Sequence, residues 1–227
     1  MSSVLRIVFA CWVSVAISGC FFIRKPWVDP NPQTSGELGA GSFRYKCIDS
    51  AEPVCLGSNA YKDFPSVIAL GASFELQYLV SNVDLVSTTD TRLLEVSENV
   101  FKAESEGTAS LYAQSLSNSR VSDILHFDVT SASQLRLALS SEADEPTTFK
   151  VGQTTPLYLT LLDANGIALA GSVKPEWTID DPTIASFSVP DSGMRAGVNG
   201  VKAGVTRVWA SYKGIQQWFA ITVLEAQ

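Results

Sequence analysis

The chain has 227 residues, 46% of them hydrophobic and 10% aromatic, so it can bury a core and is not intrinsically disordered. Its formal net charge is −7, with no block of Lys and Arg that could neutralise a phosphate backbone, which speaks against a nucleic-acid partner. The same acidity is repelled by anionic lipid, so any attachment to a membrane has to be covalent rather than electrostatic.

The chain starts with a three-part leader. Arg6 supplies a basic start, Ile7 to Ile17 an apolar centre, and Ser18-Gly19 the small residues before a cleavage point. Ile17-Ser18-Gly19-Cys20 resembles the lipobox of bacterial lipoproteins. That resemblance implies a signal peptide over residues 1–19 that is cut away, and acyl chains (palmitate among them) on Cys20. Loss of Arg6 with the leader makes the mature chain one unit more acidic. A competing reading is an uncleaved signal anchor, because Ile7 to Ile23 carries no charge and a membrane helix needs at least about 17 residues. The residue after Cys20 is Phe21 rather than aspartate, which by the same resemblance places the protein at the outer membrane.

Residues 20–42 then read as a lipidated cysteine followed by a flexible linker. Phe21, Phe22 and Ile23, then Arg24, Lys25 and Trp27, form an interfacial stub. Pro30, Pro32, Gly36, Gly39 and Gly41 argue against helix or strand up to Ser42. Such a leash of about twenty residues has a root-mean-square reach of only ~25 Å.

From residue 43 onward apolar side chains recur at every second position. Phe74, Leu76, Tyr78 and Val80 share one strand face; Leu125, Phe127 and Val129, Leu157, Leu159 and Leu161, and Phe219, Ile221 and Val223 repeat the pattern. The expected fold is all-β: two antiparallel sandwiches over residues 43–132 and 133–227. Two copies are expected because the chain resembles itself. Asp90-Thr91-Arg92 corresponds to Asp181-Pro182-Thr183; Lys102-Ala103, Gly107 and Leu111-Tyr112-Ala113 correspond to Lys202-Ala203, Gly204 and Val208-Trp209-Ala210. A period of about ninety residues suits tandem domains rather than a solenoid.

The second copy resembles a bacterial Ig-like domain of group 2. The residues that carry the likeness are Val151-Gly152-Gln153, Asp163-Ala164-Asn165-Gly166, Trp177, Asp181 to Ala185, Val201 to Thr206 and Val208-Trp209-Ala210. In the first copy Leu70-Gly71 stands where Val151-Gly152 does, and no tryptophan matches Trp177. The resemblance implies an Ig-like architecture without fixing a function. Cys47 and Cys55, the thiols left once Cys20 is acylated, are expected to form a disulfide worth about 2.5 kcal/mol. No second pair and no nearby histidine completes a zinc site.

No catalytic constellation is evident. His126 is the single histidine, and alternation puts it on the solvent face of its strand, with no nucleophile marked as its partner. Glu142, Asp144 and Glu145, and Asp180-Asp181, could bind calcium, but the calcium-loop spacing is absent and turn capping explains them; neither metal nor cofactor is expected. Asp163 to Gly166 reads as a hairpin turn in which Asn165-Gly166 supplies the positive φ angles.

One feature exceeds structural need. If Lys213-Gly214 is a two-residue turn, Trp209 falls opposite Trp218 on the outer face, with Arg207 and Gln216 beside them. This is either a cross-strand aromatic pair worth up to ~1 kcal/mol or a flat patch for a sugar ring or another domain. The function expected from all this is a membrane-anchored, non-catalytic envelope lipoprotein. Its Ig-like domains would bind a partner protein or glycan or act as a scaffold; the alternatives are a carbohydrate-presenting accessory to an enzyme, or a passive spacer.

Overall fold

The computed structural model describes residues 36–55, 62–79, 85–114, 120–139, 148–188 and 193–226. The leader, Cys20 and the loop holding Glu142, Asp144 and Glu145 lie outside the described residues. Alternation drives the chain into strands. In Ser73–Leu79 the residues Phe74, Leu76 and Tyr78 point inward, and in Val121–Thr130 so do Leu125, Phe127 and Val129.

The first half contributes β1 (Ser42–Lys46), β2 (Lys62–Asp63), β3 (Val67–Ala69), β4 (Ser73–Leu79), β5 (Leu85–Ser87), β6 (Leu93–Ser97), β7 (Val100–Ala103), β8 (Gly107–Gln114) and β9 (Val121–Thr130). The second half contributes β10 (Gln134–Ala138), β11 (Thr148–Lys150), β12 (Thr154–Leu162), β13 (Glu176–Ile179), β14 (Ala185–Phe187), β15 (Arg195–Gly200), β16 (Gly204–Tyr212) and β17 (Ile215–Leu224). Their order in the first sandwich is β2-β1-β4-β7-β6 against β3-β9-β8-β5; in the second it is β10-β12-β15-β14 against β11-β17-β16-β13. Apart from the added edge strand β2, the two orders are the same. Both are the Ig-like arrangement of a four-strand sheet facing one built on the last hairpin. Pairing is antiparallel except that β3 runs parallel to β9 and β11 parallel to β17.

Hydrogen bonds fix the equivalence residue by residue. Leu70 N–H donates to Thr130 and Gly71 N–H to Ala103; Val151 N–H donates to Leu224 and Gly152 N–H to Gly200. Gly71 and Gly152 have φ of +85° and +81°, a region that only glycine enters freely. Ala103 is therefore the counterpart of Gly200, which corrects the pairing of Lys102-Ala103 with Lys202-Ala203. Those lysines differ in setting: Lys102 lies in β7, whereas Lys202 follows β15 in a loop. The residue standing where Trp177 does is Val86, since Val86 pairs Ala113 as Trp177 pairs Ala210.

Two expectations about loops are corrected as well. Asn165 keeps an ordinary negative φ, and only Gly166, at +77°, is left-handed. The Asp163 carboxylate caps the turn instead, accepting the Asn165 and Ile167 N–H groups at 2.8 and 2.7 Å. Residues 36–41, assigned to the linker on composition, are pinned to the first sandwich. The buried Asp123 carboxylate accepts N–H groups of Leu38, Ala40 and Gly41 at 2.8, 3.0 and 3.1 Å, and the Tyr78 hydroxyl at 2.8 Å. A Cβ at Gly36 would collide with that carboxylate, so glycine there serves close packing rather than freedom.

Between β9 and β10 only Ser131 to Ser133 intervene. The two sandwiches touch: Ser73 and Ser172 exchange N–H···O bonds of 2.9 and 2.8 Å, and Ala69 N–H donates to Ala170 at 2.9 Å. The Tyr212 hydroxyl donates to the Leu70 carbonyl at 2.8 Å, and burial pushes its pKa up to about 12.

Candidate functional site

The outer face of the β16–β17 hairpin is built by its turn. Lys213 and Gly214 have φ of +47° and +84°, the tight two-residue turn that matches strand twist, so Tyr212 closes on Ile215 and Trp209 pairs with Trp218. Val208 is fully buried and Phe219 packs half-buried against the core, which leaves both indoles on the opposite face. Trp218 is 45% exposed. The ring centroids lie 6.4 Å apart and the planes are inclined by 52°. The surface is therefore a ridge rather than the flat patch that one of the two readings of the sequence described.

Arg207 and Asp180, a residue that the sequence offered only as half of an acidic turn, hold the rings at that tilt. In the β13–β16 register Thr178 sits opposite Trp209, and Asp180 follows beside Arg207. One Asp180 oxygen accepts Trp209 Nε1–H at 2.8 Å and the other accepts Arg207 Nε–H at 2.8 Å. The Arg207 guanidinium lies 5.6 Å from the Trp209 centroid and 5.7 Å from that of Trp218. Gln216 is exposed on the same face, opposite Ser211. The patch is thus an aromatic ridge held by an Asp–Arg pair, with no net charge of its own. Asp180 was visible only as half of an acidic turn; the signal lay in its register against Arg207.

Cys47 and Cys55 form a disulfide with Cα atoms 5.9 Å apart, and it encloses the fully buried Glu52. Glu52 accepts a hydrogen bond from the buried Tyr45 hydroxyl and the N–H groups of Ile48 and Asp49 at 3.2 and 3.0 Å. Burial pushes the Glu52 carboxyl up, and burial followed by the Glu52 charge pushes the Tyr45 phenol well above its ordinary value. Asp123 goes the other way. Burial raises it, but the Leu38 N–H, the Tyr78 hydroxyl and the Ile124 and Gly41 N–H groups outweigh that and hold it low. His126 is exposed, with Nδ1 2.6 Å from Glu37. Asp181 caps its own turn through Thr183. Among the described residues no three of His, Cys, Asp and Glu are grouped to hold a metal.

No family model matches this chain. No curated protein matches it. Among solved structures it is similar to the S-layer protein SbsC, at 18% identity over 67% of this chain and 22% of that one, with a TM-score of 0.34. It is also similar to the Escherichia coli adhesin FdeC (14% identity, 72% of this chain and 62% of that one, TM-score 0.37) and to InvD of Yersinia pseudotuberculosis (15%, 71% and 56%, 0.35). This chain thus spans about a fifth of the S-layer protein's length. Likeness at these scores carries no argument about activity. The strand order on its own makes the described chain a tandem Ig-like β-sandwich protein.

Proposed function

We propose that this is a lipid-anchored, non-catalytic protein of the bacterial envelope that recognises a partner through the outer face of its second sandwich. The anchor would be acylated Cys20, and an outer-membrane location follows from the lipobox resemblance and Phe21. The observation that carries recognition is the ridge of Trp209 and Trp218, an outward-facing indole pair in which Trp218 is exposed and Trp209 half-buried. Amphipathic rings of this kind supply contact area at low entropic cost.

The tilt of the rings favours a protein over a sugar. A pyranose stacks on an open, flat face, whereas here the planes diverge by 52° and Arg207 leans on both. Nucleic acid, metal and cofactor have no part in this reading.

Two measurements test it. Mass spectrometry of the mature N-terminal peptide should find acylated Cys20, and Cys20→Ala should release the protein from membranes. A partner crosslinked in whole envelopes should be lost with the double variant W209S/W218S. An unmodified Cys20 thiol refutes the anchor, and unchanged capture by the double variant refutes the site.

A further inference from the structure

The joint between the two sandwiches is held in two places. The first is a seam to which the first sandwich contributes only residues 67–73. There Ala69 N–H donates to Ala170 at 2.9 Å, Ala170 N–H donates to Val67 at 3.3 Å, and Ser73 and Ser172 exchange their pair of bonds. The Tyr212 hydroxyl meets the Leu70 carbonyl in the same stretch. A Cβ on Gly171 would lie 2.5 Å from that of Ala72, so the two backbones approach where no side chain fits. A single row of contacts of this kind fixes a line and leaves rotation about that line open.

The second place is the loop closed by the Cys47–Cys55 disulfide. Among the described residues, the hydrogen bond that crosses the joint outside the seam runs from Met194 N–H to Asp49 Oδ2, at 2.8 Å. A cavity of about 370 Å³ is lined by Ser172 of the seam and by Asp49 and Gly193, so the two contacts stand apart. Each end of this bond is fixed by its own sandwich. Asp49 Oδ1 accepts Ala51 N–H at 2.8 Å, Asp49 N–H donates to the buried Glu52 carboxylate at 3.0 Å, and Glu52 N–H donates to the Asp49 carbonyl at 3.1 Å. The disulfide ties the two ends of that loop together, and Cys55 is fully buried. On the other side the Met194 side chain is fully buried and its carbonyl accepts Leu159 N–H at 2.7 Å. Trp177 Nε1–H donates to the Gly193 carbonyl at 3.2 Å, so the tryptophan without a match in the first sandwich steadies the strand end that meets Asp49. Glycine at 193 makes the approach possible, since a Cβ there would lie 2.2 Å from Asp49 Oδ2.

We infer that the disulfide loop is the lock of the joint. Asp49, bonded to Met194, stops the second sandwich from turning about the seam and fixes the direction of its outer face relative to the 36–41 segment. A point held off the seam line defines an orientation, whereas small interfaces between domains otherwise permit relative motion. The role of Cys47–Cys55 thereby extends beyond the fold of its own sandwich, and it does so whatever the tryptophan ridge binds.

The test is double electron–electron resonance on the full chain in detergent, with spin labels on non-natural residues at the exposed positions of Glu95 and Lys202, one in each sandwich. The unchanged chain should give one narrow distribution of distances. Asp49→Ala removes the acceptor, Gly193→Ala puts a methyl group in the place of the carboxylate, and Cys47→Ser with Cys55→Ser opens the loop. Each should broaden the distribution roughly twofold or more, because relative motion returns once the seam alone remains. Ser50→Ala, in the same loop but with no hydrogen bond across the joint among the described residues, should leave it narrow. Slow amide exchange in β9 and β12 of each variant identifies those in which both sandwiches are folded; if the disulfide variant is not among them, Asp49→Ala and Gly193→Ala decide. A broad distribution in the unchanged chain overturns the inference, as does a narrow one in any folded variant that lacks Asp49, Gly193 or the disulfide.

Discussion

The two sandwiches share a strand order and differ in how much of their fully buried core is aromatic. The first packs Phe43, Tyr45, Phe64, Phe74, Phe101 and Phe127 inside, largely edge to face, and adds a disulfide and two buried carboxylates. The second fills its core with Leu157, Leu159, Leu161, Val198, Val208 and Ile221 and puts Trp209 and Trp218 outside. Tyr112 and Ile124, half-buried, occupy the corresponding positions in the first. One topology thus supports a base braced by aromatic packing and stapled to residues 36–41 at Asp123, and a second sandwich that carries an aromatic ridge on its outer face.

If the aromatic cluster is what holds the base together, Phe74→Ala should have the largest effect, about 4 kcal/mol in urea unfolding of the first sandwich. Leu159→Ala in the second should cost about 3 kcal/mol. Equal loss of both transitions from either change would break the comparison. Next, Asp123→Ala leaves three N–H groups of the 36–41 segment without their acceptor and should cost about 3 kcal/mol, with rapid exchange over those residues. Replacing Cys47 and Cys55 by Ser should cost about 2.5 kcal/mol, confined to the first sandwich.

The buried carboxylates give opposite pH signatures. Asp123 titrates below its ordinary value when folded, so its stabilisation is complete above about pH 4 and is lost as pH falls through the depressed folded value. Glu52 titrates above its ordinary value, so it favours the fold at low pH, and that contribution is lost as pH rises through the raised folded value. Stability profiles of Asp123→Asn and Glu52→Gln should each lose one limb, Asp123→Asn the acid one. The smallest effect on stability belongs to W209S/W218S, at most ~1 kcal/mol, with partner capture abolished. A much larger loss would make the pair a structural one.

Much of this was legible in the sequence because strands write their burial with a period of two. Leu157, Leu159 and Leu161 were assigned to the core from spacing alone, and Lys213-Gly214 fixed the tryptophan register. What stayed hidden depends on contacts between residues far apart in the chain. Asp123 gave no sign that it gathers amides from residues 38–41, and those glycines read as linker because composition cannot distinguish a flexible turn from a tightly packed one. Asp180 looked like half of an acidic turn until β13 laid it beside Arg207. The shift of Lys202 out of the strand was equally invisible, since an ungapped match of Lys-Ala pairs carries no information on hydrogen bonding.

The most direct test of recognition by the second sandwich compares equivalent positions in the two modules. A photo-reactive side chain placed at Gln216, or at its counterpart Ser122, would be activated in intact envelopes. The account predicts a specific protein adduct from position 216, lost when Trp209 and Trp218 are replaced, and none from position 122. Equal adducts from both positions, or one from 122 alone, would contradict it.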